Sequence, residues 1–194
     1  MDRTQQLSSH TIAGPVRICQ PEAAQRRLSP DSPALDVMTD LARVPAAIID
    51  THTQIGEAER YMRQRGVRML LVTEQGLLAG VITATDLLGE RPIRLAQERR
   101  MRHAELQVGD VMTPMSRLEA LLLHEVEHAR VSEVIANLRE HNRQHAVVLD
   151  VDAQGRQRVR GIFSLSQIAR QLGVTLELSH AATSFAEIEE ALAH

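Results

Sequence analysis

The feature that most constrains the fold of this chain is a repeated tetrapeptide, Asp-Val-Met-Thr. It occurs at residues 36–39 and again, 74 residues later, at residues 110–113. An internal repeat at this spacing, in a chain of 194 residues, indicates two related structural units rather than one irregular domain. The chain is therefore expected to fold as two similar halves.

Each copy of the tetrapeptide is followed by the same order of predicted elements, β-α-β-β-α. In the first half an apolar strand at 46–49 precedes a helix, in which Ile55, Ala58, Tyr61 and Met62 recur at helical spacing. A strand at 69–72, a turn, a second strand and a short helix follow. The second half repeats this order, with strands at 121–126 and 146–149 and a helix marked by Val131, Val134, Ile135 and Leu138. The predicted fold class is a mixed α/β (α+β) fold built from two such repeats.

The repeats are placed at residues 35–90 and 108–173, with three segments around them. Residues 1–34 hold four of the seven prolines and no periodicity, which indicates an extended arm or a disordered tail. Residues 91–107 are polar and arginine-rich and predict a linker helix. The segment 174–194 carries a capping box before an amphipathic run, which predicts a C-terminal helix.

Composition excludes several classes of function. A net charge of −3, a pI near 6.3 and 2% aromatic residues leave neither a basic face nor stacking rings for nucleic acid. The single cysteine excludes an internal disulfide. No apolar run is long enough to span a bilayer, and the N-terminus lacks a signal peptide. We therefore expect no nucleic-acid partner, no membrane insertion and a cytoplasmic location.

Two β-α-β-β-α units, each opened by Asp-Val-Met-Thr and closed by a glycine-led strand and a short helix, resemble the CBS domain family. The resemblance covers residues 36–172. It implies a tandem pair, called a Bateman module, in which the two repeats pack through their sheets around a pseudo-twofold axis. It also implies no catalysis and two clefts for adenosine ligands such as AMP, ADP, ATP or S-adenosylmethionine.

The resemblance assigns ligand-binding roles to residues of the first repeat. Thr83 and Asp86, at the start of its last helix, match positions that bind the ribose, and a carboxylate can accept from both hydroxyls of a vicinal diol. Arg68 matches a basic position that meets phosphate. The motif also places Val81 and Ile82 against the ligand. A second interpretation remains open, because Thr-x-x-Asp at a helix start is close to a capping box that needs no ligand.

The second repeat departs from this pattern. Gln167 stands where the first repeat has Asp86; it keeps a capping box but lacks the carboxylate. Gln144 stands in place of Arg68. We expect one competent cleft, built on the first repeat, and a second that is empty or takes another ligand. His141 and His145 are weaker candidates for a phosphate contact there.

His124-Glu-Val-Glu-His128 matches the His-Glu-x-x-His pattern of zinc hydrolases. Aligning the repeats places His124 in a strand and His128 in the turn before a helix. Two strand residues four apart are separated by roughly 13 Å, which is too far for one metal ion. No metal site is therefore predicted.

The leading hypothesis is a regulatory module, expected to be a homodimer, that senses an adenosine-containing ligand and acts on an unidentified protein partner. The alternative is a scaffold that interacts without a ligand and has vestigial clefts. A zinc hydrolase using His124 and His128 is a third, less favoured interpretation.

Overall fold

The computed structural model of the chain describes residues 28–176, together with residues 9, 11 and 14–16. Its strands are β1 (Thr39–Asp40), β2 (Ile48–Asp50), β3 (Met69–Glu74), β4 (Leu77–Thr83), β5 (Thr113–Pro114), β6 (Ala120–Leu122), β7 (His145–Val151) and β8 (Gln157–Ser164). Its α-helices are α1 (Ile55–Arg65), α2 (Ala84–Leu88), α3 (Glu90–Glu98), α4 (Val108–Val111), α5 (Leu123–Val126), α6 (Val131–Glu140) and α7 (Leu165–Leu172).

The strands form two four-stranded sheets with the same arrangement, in the orders β2-β3-β4-β5 and β6-β7-β8-β1. In each sheet the first two strands are parallel and the remaining neighbours are antiparallel. The β3–β4 and β7–β8 hairpins each have a shift in strand register at the equivalent place, after Val72 and after Val148. The predicted mixed α/β fold of two β-α-β-β-α repeats is confirmed.

The two sheets pack against each other, and the helices cover their outer faces. Along β3, Met69 and Leu71 point into the contact between the sheets, while Leu70 and Val72 point into the core beneath the helices. Val147 of β7 joins the contact between the sheets. Because side chains alternate along a strand, a strand buried on both faces is apolar without interruption. This explains why Met69–Val72 shows no polar alternation.

The segment that opens each repeat pairs with the sheet of the other repeat. We call residues 34–40 leader 1 and residues 106–114 leader 2. The strand of leader 1 pairs with β8 of the second repeat (Thr39 with Ile162), and that of leader 2 pairs with β4 of the first (Val81 with Thr113). The predicted boundaries, 35–90 and 108–173, therefore follow the sequence repeat but not the packed units.

The hydrophobic cores follow the same exchange. Ala34 and Val37 of leader 1 are buried among residues of the second repeat, including Phe163. Val108 and Val111 of leader 2 are fully buried in the core of the first repeat. Each repeat thus completes its core with side chains from the other half of the chain.

Three predicted elements differ from the structure. The linker helix predicted over 91–107 is only α3, because the chain leaves the helix after Glu98 and Arg100 has a positive φ of 53°. The strand predicted over 121–126 ends at Leu122, and the helical turn α5 follows. The end of the predicted N-terminal arm is docked, since the Ala34 amide donates to the Ala129 carbonyl at 2.9 Å.

Residues 1–27, apart from the five positions given above, and the predicted C-terminal helix beyond Ser184 lie outside the described residues. Among the residues described, no helix has both the length and the apolar character needed to cross a membrane.

Candidate functional site

Two clefts lie where the repeats meet, and each takes its walls from both halves of the chain. The first cleft, of about 410 Å³, is lined by the start of α2, by residues 117–119 after leader 2, and by residues 142–145, which lead into β7. The second cleft, of about 450 Å³, is lined by the start of α7, by residues 44–47 after leader 1, and by residues 64–68, which run from the end of α1 to β3. The helix start of each repeat therefore faces the loop that precedes a strand of the other repeat.

The start of α2 presents Thr83 and Asp86 to the first cleft. Thr83 is the N-cap residue, and its hydroxyl accepts from the Asp86 amide at 3.2 Å. The Asp86 carboxylate accepts from the Thr83 amide at 2.8 Å and from the Thr83 hydroxyl at 2.7 Å. The capping box considered in the sequence analysis is thus formed.

The capping box leaves part of Asp86 available. Both hydrogen bonds that its carboxylate accepts go to Oδ2. A carboxylate has about four acceptor positions on its two oxygens, so Oδ1 retains its capacity toward a ligand in the cleft. Capping and ligand contact are therefore compatible at this residue, and the two interpretations need not exclude each other.

The other residues predicted for the first cleft have different positions. Val81 lines the cleft, but Ile82 is fully buried in the core of the first repeat and lines neither cleft. Strand alternation is the reason, because adjacent residues of β4 face opposite sides of the sheet. Arg68 lines the second cleft, opposite Gln167, and not the cleft of Asp86. The expectation that Arg68 and Asp86 share one cleft is therefore corrected.

The first cleft contains charged residues that the sequence analysis did not assign to it. Arg117 and Arg143 line it together with Glu119, and Arg143 forms an ion pair with Glu119. With Asp86, the cleft thus holds two arginines and two carboxylates. These residues come from the second half of the chain, while Asp86 belongs to the first repeat, so no local sequence signal indicated that they share one cleft.

The second cleft is built differently at its helix start. The capping box predicted for Gln167 is not formed, since α7 has no side-chain cap and Ser164 contacts Ser166 at 3.1 Å instead. Gln167 Oε1 accepts from the Thr39 hydroxyl at 3.3 Å, which ties α7 to leader 1. Arg65, Arg68 and Arg170 line this cleft, and its lining contains no carboxylate.

Comparisons with known proteins agree with this architecture. Residues 29–92 match the model of the CBS domain family. CBSX2 of Arabidopsis thaliana, solved in complex with AMP, is 21% identical with a TM-score of 0.52, over 72% of this chain and 94% of that chain. The chain has the fold of a tandem CBS pair.

Two other solved structures share this CBS-pair fold. An uncharacterized conserved protein from Pyrococcus horikoshii is 22% identical, with a TM-score of 0.54 over 78% of this chain and 100% of that chain. The CBS domain pair of protein MJ0100, solved with 5'-methylthioadenosine and S-adenosyl-L-methionine, is 21% identical, with a TM-score of 0.51 over 74% of this chain and 98% of that chain. No curated protein matches the chain by sequence.

His145 lies in the wall shared by the two clefts. It lines both clefts, as does Met69, the residue at the equivalent position of the other repeat. Burial lowers the pKa of His145 to about 4; the charge of Arg68 acts in the same direction, and that of Asp86 opposes it. Its Nδ1 atom is buried without a hydrogen-bond partner among the described residues. His145 is therefore held neutral at physiological pH.

The His-Glu-x-x-His sequence lies away from both clefts. His124 is in the helical turn α5 and not in a strand, so the 13 Å separation expected from strand geometry was wrong. His128 follows in the turn after α5, where its amide donates to the Glu125 carbonyl at 3.1 Å. Within the described part of the chain, no three histidine, cysteine or acidic side chains form a group that could hold a metal ion.

Proposed function

We propose that this CBS pair is a non-catalytic regulatory module that binds an adenosine-containing ligand in the first cleft. The observation that carries the proposal is the Asp86 carboxylate at the start of α2, which lines a cleft of about 410 Å³ and keeps one oxygen outside its capping box. An ionised carboxylate beside a helix start is well suited to accept from both hydroxyls of a ribose. Thr83 and Val81 form the adjacent wall.

The charges of the first cleft bear on the ligand class. Arg117 and Arg143 are matched by Asp86 and Glu119, and Arg143 is already paired with Glu119. A ligand with little net charge, or a monophosphate that engages Arg117, fits this balance better than a triphosphate does. The ligands of similar CBS pairs, AMP in one and 5'-methylthioadenosine with S-adenosyl-L-methionine in another, support this class. AMP and S-adenosylmethionine are therefore favoured within the predicted set, which also includes ADP and ATP.

A thermal-shift panel of AMP, ADP, ATP and S-adenosylmethionine tests the proposal. A ligand present at 100 times its Kd stabilises the folded state by about 2.7 kcal/mol, which corresponds to an increase in Tm of roughly 5 to 10 °C for a chain of this size. A flat response to all four ligands at millimolar concentration would favour the alternative, a ligand-independent interaction scaffold.

Asp86→Asn separates ligand contact from helix capping, because asparagine keeps capping ability while it removes the charge. Loss of a charged acceptor should weaken binding by roughly 10-fold to 150-fold. Asp110→Asn is the matched control, since Asp110 accepts from the Gln107 amide at 2.9 Å in a second capping box and lines neither cleft. If Asp86→Asn bound the ligand with normal affinity, or if Asp110→Asn lost as much affinity, the proposed contact between Asp86 and the ligand would be refuted.

The regulatory output is proposed to pass through a homodimer and an unidentified protein partner. Two exposed apolar side chains around the junction of α2 and α3 support a protein contact there: Leu88 at the end of α2 is 70% exposed, and Ile93 in α3 is 56% exposed. Replacing both with serine should shift the protein from dimer to monomer in light scattering coupled to size-exclusion chromatography. A wild-type protein that is monomeric at every accessible concentration would refute the homodimer.

A further inference from the structure

The outer surface around α1 and the mouth of the second cleft carries arginines without acidic partners. Arg65, Arg68 and Arg170 lie at the cleft. Arg60 lies one helical turn before Gln64, which lines both the cleft and an adjacent groove beside β2. All four arginines are exposed, and none takes part in an ion pair within the described part of the chain. We call these four residues the arginine surface.

Exposed apolar side chains flank the arginine surface. Val44, at the cleft, is 45% exposed, and Ile48, in the groove beside β2, is 48% exposed. Like charges that lack partners repel one another, so negative charge placed over the arginines would be favourable. Burial of the two apolar side chains would add to the stability of such a contact. The surface therefore fits a segment that is both acidic and amphipathic.

The C-terminal segment of this chain, residues 177–194, has both properties. It contains four glutamates and neither arginine nor lysine. Phe185, Ile188 and Leu192 recur at helical spacing and predict an apolar stripe, with Glu189 at its edge. Residues 1–27, by contrast, contain four arginines against two acids and would be repelled by the arginine surface. The C-terminal segment is therefore the part of this chain that matches the surface.

The fold starts this segment close to the arginine surface. After α7 the chain turns back, and the Val174 amide donates to the Ala169 carbonyl at 3.0 Å. Val174 thus lies beside the residue that precedes Arg170, and the segment begins three residues later. Its 18 residues span about 27 Å as a helix and roughly 60 Å when extended. The short connection keeps the entropic cost of docking within the chain small.

We propose that residues 177–194 dock on the arginine surface of the same chain and cover the mouth of the second cleft. Their glutamates face the guanidinium groups, and their apolar stripe contacts Val44 and Ile48. The second cleft is then closed by the chain itself, and a molecule from solution enters it only by displacing this segment. The inference does not depend on the proposed function, because it involves neither Asp86 nor the first cleft.

The sequence contains no lysine, which allows a direct test on the full chain. Arg68→Lys introduces a single side-chain amine, and a carbodiimide joins that amine through an amide bond to a carboxylate in contact with it. No described carboxylate lines the second cleft. We therefore expect mass spectrometry to find position 68 joined to Glu187, Glu189 or Glu190, in a product with the mass of one chain. Arg100→Lys is the control, because Arg100 is exposed and lies outside the arginine surface.

Removal of charge from the segment tests the electrostatic basis of docking. In the Arg68→Lys protein, Glu189→Gln combined with Glu190→Gln should lower the rate of cross-linking to Glu187 by roughly 2-fold or more. Glu125→Gln combined with Glu140→Gln removes the same charge from exposed positions outside both clefts and should leave that rate unchanged. Salt at 1 M should also lower the rate, because it reduces the Debye length to about 3 Å.

The other outcomes of the cross-linking experiment contradict the proposal. If position 68 formed no cross-link to residues 177–194, or if position 100 formed as much, the docking would be overturned. A product with twice the mass of the chain, joined at the same residues, would place the segment on a second copy and would contradict docking within one chain.

Discussion

Adding one methyl group at Gly80 or at Gly161 should have unequal effects, although the two glycines are equivalent in the repeats. Both lie where a leader crosses the sheet of the other repeat. A Cβ atom on Gly80 would run into the backbone of leader 2, meeting the Thr113 carbonyl oxygen and lying 3.1 Å from Pro114 Cα. A Cβ atom on Gly161 would meet the Met38 side chain, lying 2.8 Å from its Cγ. The first obstacle is fixed backbone and the second is a flexible side chain.

The expected magnitudes follow from that difference. In Gly80→Ala, overpacking against the backbone of leader 2 should lower the free energy of unfolding by about 1 to 3 kcal/mol. If β5 moved away from β4 to relieve the overlap, part of the buried Val111 would become exposed, which would cost up to another ~2 kcal/mol. Methionine has three rotatable bonds and adapts readily, so the overlap at Gly161 should cost about 1 kcal/mol or less. Replacing glycine with alanine also lowers the conformational entropy of the unfolded chain, which stabilises the folded state by about 0.4 to 1 kcal/mol in both variants. Gly80→Ala should therefore lose about 1 to 4 kcal/mol of stability, and Gly161→Ala almost none.

Urea unfolding monitored by circular dichroism measures both free energies of unfolding, and Tm should fall by 2 to 4 °C for each kcal/mol lost. Gly161→Ala combined with Met38→Ala serves as a check, because shortening the methionine removes the overlap. Equal destabilisation by the two alanine variants, or a larger loss in Gly161→Ala, would refute the assignment of leader 2 as the rigid obstacle.

Three further predictions concern the clefts and the histidines. Gln167→Ala should lower the free energy of unfolding by less than about 1 kcal/mol, because Gln167 makes one long hydrogen bond to Thr39. It should leave adenosine binding unchanged, because Gln167 lies outside the first cleft; weaker adenosine binding, measured by calorimetry, would contradict this. His145→Met, which introduces the residue found at position 69, should reduce the loss of stability on acidification. The pKa of His145 is about 4 in the folded state and near 6.5 in the unfolded state, so the unfolded state binds the proton first as the pH falls. Between pH 7 and pH 5 the free energy of unfolding of wild type should therefore fall by about 2 kcal/mol more than that of the variant. An identical pH dependence of urea unfolding in both proteins would show that His145 is not the group responsible. Protein purified without added metal should contain substoichiometric zinc, and His124→Ala should fold normally; one tightly held zinc ion per chain, lost in that variant, would restore the hydrolase interpretation.

The repeat and its elements could be predicted from sequence because they are local. The helical spacing of Ile55, Ala58 and Met62 predicted α1, and that of Val131 and Val134 predicted α6. Strand boundaries were less accurate where helix and strand signals compete. Apolar residues at 121–126 fit either structure, and the chain turns into α5 after Leu122.

The composition of the clefts could not be predicted, because it depends on how the repeats are paired. Arg68 and Asp86 are close in sequence and belong to one repeat, yet the exchange of the leaders places the loop of one repeat opposite the helix start of the other. No periodicity in a single chain encodes that exchange. The capping role of Asp86 was recognisable from Thr-x-x-Asp, whereas the bond between Gln167 and Thr39 joins residues 128 positions apart and had no local signal.

The exchange of the leaders also sets an order in which the chain can fold during synthesis. Val81 pairs with Thr113, so the first sheet can be completed soon after residue 113 leaves the ribosome. Thr39 pairs with Ile162, and leader 1 must therefore wait, with Val37 exposed, until most of the second repeat has been made. Contacts of such high sequence separation form late and slowly. Leader 1 precedes both sheets in the sequence and is thus expected to be among the last segments to pack.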